Sequence, residues 1–171
     1  QGTSQATRKA HMSGIRVISG IAKGRRLRLV PGESTRPISD RVKESLFNII
    51  GAEIEDAWLL DLFAGTGSVG IEALSRGAAG VVLVDNDRRA ISTVRANLES
   101  TRLGGKADVV QGDAFSLLSG KPRRKFDYVY VAPPQYRELW SRAVMLLDGH
   151  SAWLNPDAWV IAQVHPKEYS D

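Results

Sequence analysis

The sequence predicts a single α/β domain with a mostly parallel sheet and helices on both faces. Two observations carry that reading. Short apolar, strand-like runs alternate with stretches of helical period along most of the chain, the pattern of a parallel sheet wrapped by helices. The size also fits, since 171 residues with 43% hydrophobic and 25% charged side chains can bury one substantial core. Such a composition excludes disorder, collagen and a small disulfide scaffold. No apolar run reaches the roughly 18 to 20 residues needed to cross a bilayer, and no charged-then-apolar start resembles a secretion signal. A cytoplasmic protein without membrane contact is expected. There is no cysteine, which excludes disulfides, thiolate zinc sites and a cysteine nucleophile, and His11, His150 and His165 are too scattered for a metal site.

Taken in order, Gln1 to His11 shows no hydrophobic period and runs into a His-Met junction typical of a cloning remnant, so a natural start at Met12 is expected. It carries Arg8 and Lys9 and no acid, which lowers the formal charge of the remainder from +4 to +2. Total charge is then a weak guide to partners, and the placement of the cations matters more. From Arg16 to Val30 the chain reads RVISGIAKGRRLRLV, two β-rich runs about a glycine-containing turn, so residues 12–32 are expected to form a basic N-terminal β-hairpin. Arg16, Lys23, Arg25, Arg26 and Arg28 crowd on it as candidate RNA contacts. A solvated edge hairpin whose cations deter aggregation would read the same way. Residues 33–171 hold the main domain. Pro31, Gly32 and Pro37 break the chain, after which Ser39 or Asp40 can cap a helix with Val42, Leu46, Ile49 and Ile50 on one face, ended by Gly51.

In AWLLDLFAGTGSVGIEALSRGA, the run from Leu59 to Phe63 reads as a buried parallel strand, and Gly65, Gly67 and Gly70 form a turn feeding a helix that stops at Gly77. A ligand can approach the backbone where no Cβ intervenes, and the helix N-terminus offers free N–H groups to its anionic end. GVVLVDND is a second strand, and Asp85 stands twenty positions after Gly65, the separation at which a carboxylate reaches ribose hydroxyls. Together these point to a nucleoside-containing cofactor. Gly65-Thr66-Gly67-Ser68-Val69-Gly70 also satisfies the dinucleotide fingerprint, so NAD competes with S-adenosylmethionine. Charge separates the two. Asp61 closes the first strand, and Asp85, Asp87 and Asp113 lie at later strand ends; these acids repel a pyrophosphate but favour a sulfonium and an ammonium. A plainer role for Asp61 is to cap the glycine turn.

The pattern then repeats. Asp87 to Leu103 reads as a helix with Ala90, Val94 and Leu98 on one face, and Asn97 on it is expected to cap or bridge backbone. KADVVQGDAF is a third strand closing on Gly112-Asp113-Ala114, where a carboxylate can accept a hydrogen bond from an adenine amine. KFDYVYVAPPQY is a fourth strand, stopped by two prolines that cannot donate to a sheet ladder. Arg137 to Leu147 forms another helix, and AWVIAQV, after an Asn155-Pro156-Asp157 turn, a fifth strand. Trp58, Trp140, Trp153 and Trp159 fall within apolar patterns and read as packing.

DLFAGTGSVGIEALSRGA, preceded by RPISDRVKESLFNII and RVISGIAKGRRL, resembles the bacterial 16S ribosomal RNA guanine-N2 methyltransferases that modify guanine 966, over roughly Arg16 to Val164. The resemblance implies a Rossmann-like S-adenosylmethionine-dependent methyltransferase fold. It implies S-adenosyl-L-methionine as cofactor and, as partner, 16S rRNA in the small ribosomal subunit or its assembly intermediate; a monomer is expected. By the same resemblance Arg36, Pro37, Ser39, Asp40 and Arg41 close over the cofactor. Asp61, Phe63, Gly65 and Gly67 then flank its methionine end, Asp85 and Asn86 the ribose, and Asp113 with Ala114 the adenine.

One motif departs from that family. The usual Asp or Asn, two prolines, then Tyr or Phe is here Ala132-Pro133-Pro134-Gln135-Tyr136. The guanine N2 lone pair is delocalised into the ring, so an acceptor must hold its protons while the nitrogen pyramidalises toward the methyl group. Ala132 has none. Backbone carbonyls near Pro133 remain, Gln135 offers an amide oxygen, and Tyr136 can stack on a flipped base. Methylation of the guanine N2 amine is therefore expected, with a cofactor- and rRNA-binding relative of weak or no catalysis as the alternative. The family also continues past the fifth strand into an antiparallel hairpin, whereas only HPKEYSD follows Val164, so a sheet shorter by two strands is expected.

Overall fold

The computed structural model describes residues 14–32, 37–134, 139–149 and 151–163. Strands β1 (Trp58–Asp61), β2 (Gly80–Asp85), β3 (Ala107–Gln111), β4 (Phe126–Val131) and β5 (Leu154–Ala162) form one parallel sheet in the order β3-β2-β1-β4-β5. The intervening helices are α1 (Asp40–Ile50), α2 (Ser68–Ser75), α3 (Arg88–Thr101), α4 (Ala114–Leu118) and α5 (Leu139–Gly149). Alternate strand residues explain why both faces must be covered. Leu59, Val81, Leu83, Tyr128 and Tyr130 join one apolar cluster with Phe47, Ile71, Leu74, Val94 and Leu98. Their neighbours Leu60, Val84, Val129 and Val131 join another with Phe115, Leu118, Ala143 and Leu147. A strand period of two thus delivers apolar side chains to helices on either side.

Ser39 caps α1 by accepting from the Val42 N–H at 3.2 Å, and Gly51 ends it at φ +65°. The expected apolar face is corrected. Val42 and Ile49 are 48% and 70% exposed, while Lys43, Phe47 and Ile50 are buried. The inward stripe begins on a lysine, whose charge is matched inside the protein, so hydrophobicity alone placed the stripe one residue away. The expected Asn155-Pro156-Asp157 turn is corrected as well. These residues lie inside β5, where the register shifts between the Phe126 and Tyr128 pairings and Asp157 adopts φ +65°. The irregularity bends the strand without ending it.

The N-terminal segment forms a narrow antiparallel hairpin. Arg16 pairs with Arg26, the Val17 N–H donates to the Arg25 carbonyl at 2.9 Å and the Leu27 N–H to the Ile15 carbonyl at 2.8 Å. Ile15, Val17, Ala22 and Leu27 belong to the same apolar cluster as α1, α2 and α3. The arm is therefore seated on the domain core.

Candidate functional site

The strand order reverses at β1, because the chain runs outward to β2 and β3 and then crosses back to β4. In such sheets a crevice opens beyond the carboxyl ends of the strands at that reversal. The loop leaving β1 occupies this position: the Leu62 N–H donates to the Tyr130 carbonyl of β4 at 3.2 Å, and the Ala64 N–H to the Val84 carbonyl of β2 at 2.8 Å. Gly65 and Gly67 take φ +57° and +81°, values that side chains resist, so the turn into α2 requires both. Gly70 serves differently, since a Cβ there would lie 2.6 Å from Leu83 Cδ2; its absence lets α2 sit close on β2.

Asp61, at the end of β1, is 1% exposed, and among the described residues the one hydrogen bond to its carboxylate is a long one from the Phe63 N–H at 3.3 Å. Burial pushes its carboxyl up to about 7, and the Asp85 charge adds to the rise. An acid so placed, with no cation paired to it among the described residues, suits a ligand that brings positive charge. Asp85 accepts from the Gly65 N–H through Oδ2 and from the Asp87 N–H through Oδ1, both at 2.9 Å. It thereby holds the glycine loop to the end of β2; Asn86 beside it is exposed. Asp87 is committed elsewhere: it caps α3 through the Arg89 N–H, and the Arg89 side chain holds its carboxyl below the usual range. Asp113 caps α4, with Oδ2 accepting from the N–H and hydroxyl of Ser116 at 2.9 and 3.1 Å. Ala114 is buried beside it, and Phe63 meets Phe115 edge-on at 6.1 Å.

Ala132 follows β4 directly, half-buried against the apolar cluster under α1 to α3, with Pro133 half-buried and Pro134 exposed. Gln135, Tyr136 and Arg36 lie outside the described residues. Pro37 is exposed at the entry to α1 and Arg41 is exposed within it, while Asp40 accepts from the Arg16 N–H at 3.1 Å and pairs with its guanidinium at 3.6 Å. Arg16 is thus partly neutralised by the first residue of α1, and Lys23, Arg25, Arg26 and Arg28 are all exposed.

Sequence reasoning missed the polar core behind the glycine loop. Lys43 and Glu72 are fully buried 3.2 Å apart, and Arg76 pairs with the other Glu72 oxygen at 3.0 Å. Desolvation drives the Lys43 ammonium below its usual pKa against the pull of Glu72. The signal was present: a glutamate within SVGIEALS and a lysine one turn from Phe47 both occupy inward helix positions. Among the described residues no group of three or more metal-ligating acids or histidines gathers, and no helix is long and apolar enough to cross a membrane.

The glycine loop, the reversal at β1 and the acids at the strand ends define an α/β protein of the Rossmann-like methyltransferase class. Consistent with that fold, a methyltransferase from Geobacter sulfurreducens superposes with a TM-score of 0.59 at 16% identity, covering 73% of this chain and 60% of that one. The chain belongs to the family described as Conserved hypothetical protein 95, whose profile matches residues 15–170. Ribosomal RNA small subunit methyltransferase D of Escherichia coli K12 is 40% identical over 149 residues, 87% of this chain and 74% of the relative. Its counterpart of the same name in Haemophilus influenzae is 35% identical over 152 residues, covering 87% and 78% respectively. The solved yhhF protein of Escherichia coli aligns with a TM-score of 0.80 at 40% identity, over 90% of this chain and 84% of that one.

Proposed function

We propose that this chain methylates the N2 amine of a guanine in 16S ribosomal RNA, at the position numbered 966, using S-adenosyl-L-methionine, and that it acts as a monomer in the cytoplasm on the small subunit or its assembly intermediate. The observation that carries the reading is Asp61, a buried carboxylate at a positive-φ glycine loop, which favours a cationic cofactor over a pyrophosphate. When bound, S-adenosylmethionine supplies a methyl group on a sulfonium, already a good leaving group. Asp61 would face its charged methionine end, Gly65 and Gly67 would admit it to the backbone, Asp85 with Asn86 would take the ribose, and Asp113 with Ala114 the adenine. Pro37 and Ser39 to Arg41, with Arg36, would cover it.

The residues of this crevice would align the guanine amine with that methyl group, and the proton the amine then gives up would pass to water. No strong base is needed first; alignment does most of the work. The backbone carbonyls about Pro133 and the Gln135 amide would hold the amine protons, and Tyr136 would stack on the base. The basic arm would steer phosphates toward this crevice.

The test is incorporation of labelled methyl into small subunits that lack the mark, followed by nucleoside analysis. Appearance of N2-methylguanosine at the single expected site supports the proposal. If S-adenosylmethionine and subunits bind but no label transfers, the binding-only relative implied by Ala132 is correct instead.

A further inference from the structure

Two buried side chains join the basic arm to the two sides of Gly67, the left-handed residue that leads into α2. On the first run of the arm, the Lys43 ammonium donates to the Arg16 carbonyl at 2.7 Å and to the Ser68 hydroxyl at 2.9 Å. On the second, Asn97 Oδ1 accepts from the Arg28 N–H at 2.7 Å, while its Nδ2 donates to the Arg28 carbonyl at 3.1 Å and to the Thr66 carbonyl at 2.8 Å. Both Lys43 and Asn97 are 0% exposed. Thr66 and Ser68 flank Gly67, so each run of the arm is tied to one side of the loop through a single side chain. The Glu72 carboxylate fixes the arm further, accepting from the Ile18 and Ser19 N–H groups at 2.8 and 3.1 Å.

The arm's own ladder is short, so its position rests on its apolar residues in the core, on these contacts and on Ser75, whose hydroxyl accepts from the Ala22 N–H at 3.0 Å and donates to the Ser19 carbonyl at 2.6 Å. If the Arg28 backbone shifts, the Asn97 amide must either follow and draw Thr66 with it or leave buried polar atoms unpaired. Order at one end therefore favours order at the other.

We infer that Asn97 and Lys43 are positioning residues coupling the arm to the cofactor loop, so that RNA held on the arm tightens S-adenosylmethionine binding and the cofactor tightens RNA binding. The inference rests on the function proposed above. Reciprocity follows from linkage, because both ligands draw on the same docked state of the arm. No contact between the two ligands is required.

The experiment is equilibrium dialysis of labelled S-adenosylhomocysteine, which cannot turn over, with and without saturating unmodified small subunits. For the parent chain the affinity should rise about fivefold or more in their presence. Asn97→Asp keeps the side-chain size and the acceptor for the Arg28 N–H but sets a carboxylate oxygen against the Arg28 and Thr66 carbonyls. It should bring the ratio to near one while leaving measurable binding of S-adenosylhomocysteine alone. A merely structural role would weaken binding equally in both conditions and leave the ratio intact. If the aspartate variant does not fold, Ser68→Ala, which removes the other bridge, should lower the ratio at least twofold. A parent ratio of one with both ligands bound overturns the coupling alone, as does a folded variant that keeps the parent's ratio. Failure of the parent chain to bind S-adenosylhomocysteine at all overturns the coupling and the proposed function together.

Discussion

Asp61 is where burial and ligand charge oppose each other. Its carboxyl ordinarily titrates near 3.8 and is raised to about 7 in the folded chain. Between those values the folded state binds a proton that the unfolded state has released, so the contribution to stability is full below pH 4 and is lost as pH rises through 7. On that basis ionisation at pH 8 costs about 4 kcal/mol. Asp61→Asn should therefore stabilise the cofactor-free protein at pH 8 and hardly at all at pH 4, as read from urea unfolding at both; an equal difference at both would show the carboxylate to be hydrated. Cofactor affinity should respond in the opposite sense, rising from pH 6 to 8 in the parent and staying flat and weaker in the Asp61→Asn variant, since the cationic end needs the ionised form. At Ala132, a restored acceptor through Ala132→Asp is expected to raise single-turnover methylation by about tenfold to a hundredfold, the scale of one well-placed hydrogen bond. A slower aspartate variant would mean that the amine is held by other acceptors. The position of Asp61 was legible in the sequence, as a single acid between an apolar strand and a glycine turn, and its carboxylate does accept a local contact from the Phe63 N–H in that turn. The second duty of Asp85, holding Gly65 and Asp87, was not, because backbone partners leave no trace in spacing.

Among the elements, the arm shows most clearly how charge and packing divide the work. Its buried residues lie in the domain core, while Lys23, Arg25, Arg26 and Arg28 face outward. Replacing Arg25, Arg26 and Arg28 together by Ala should reduce the salt dependence of RNA binding, each lost phosphate contact removing about 0.7 to 0.9 from the log-log slope. S-adenosylhomocysteine binding in the absence of RNA should stay within twofold. An unchanged slope would leave these cations as guards of an exposed edge. The strands of the main domain and most of its helices were readable from apolar period, since residues such as Leu59, Val84, Val94 and Leu98 have no role beyond packing, but the five-residue α4 was not, because KADVVQGDAF reads as one strand although β3 stops at Gln111. The face of α1 was not, because Lys43 occupies an inward position that only Glu72, a partner distant in sequence, makes tolerable. Asn97 was legible as a bridge to backbone, though its two partners come from segments far apart in the chain.

For the whole molecule, alternation of strand and helix pointed to a parallel sheet, but the neighbours of each strand depend on where the chain crosses back. β1 lies at the centre, and the Trp58 N–H that opens it donates to an Asp127 oxygen 69 residues later at 2.8 Å. That central placement has a cost during synthesis. β2 leaves the ribosome soon after β1, whereas β4 follows only after those 69 residues, roughly 3 to 14 seconds at about 5 to 20 residues per second. Throughout that interval one edge of the central strand offers unpaired N–H and C=O groups to any neighbouring nascent chain. Slowing translation between the β3 and β4 codons should thus lower the yield of folded protein, and a chaperone that shields that edge should restore it.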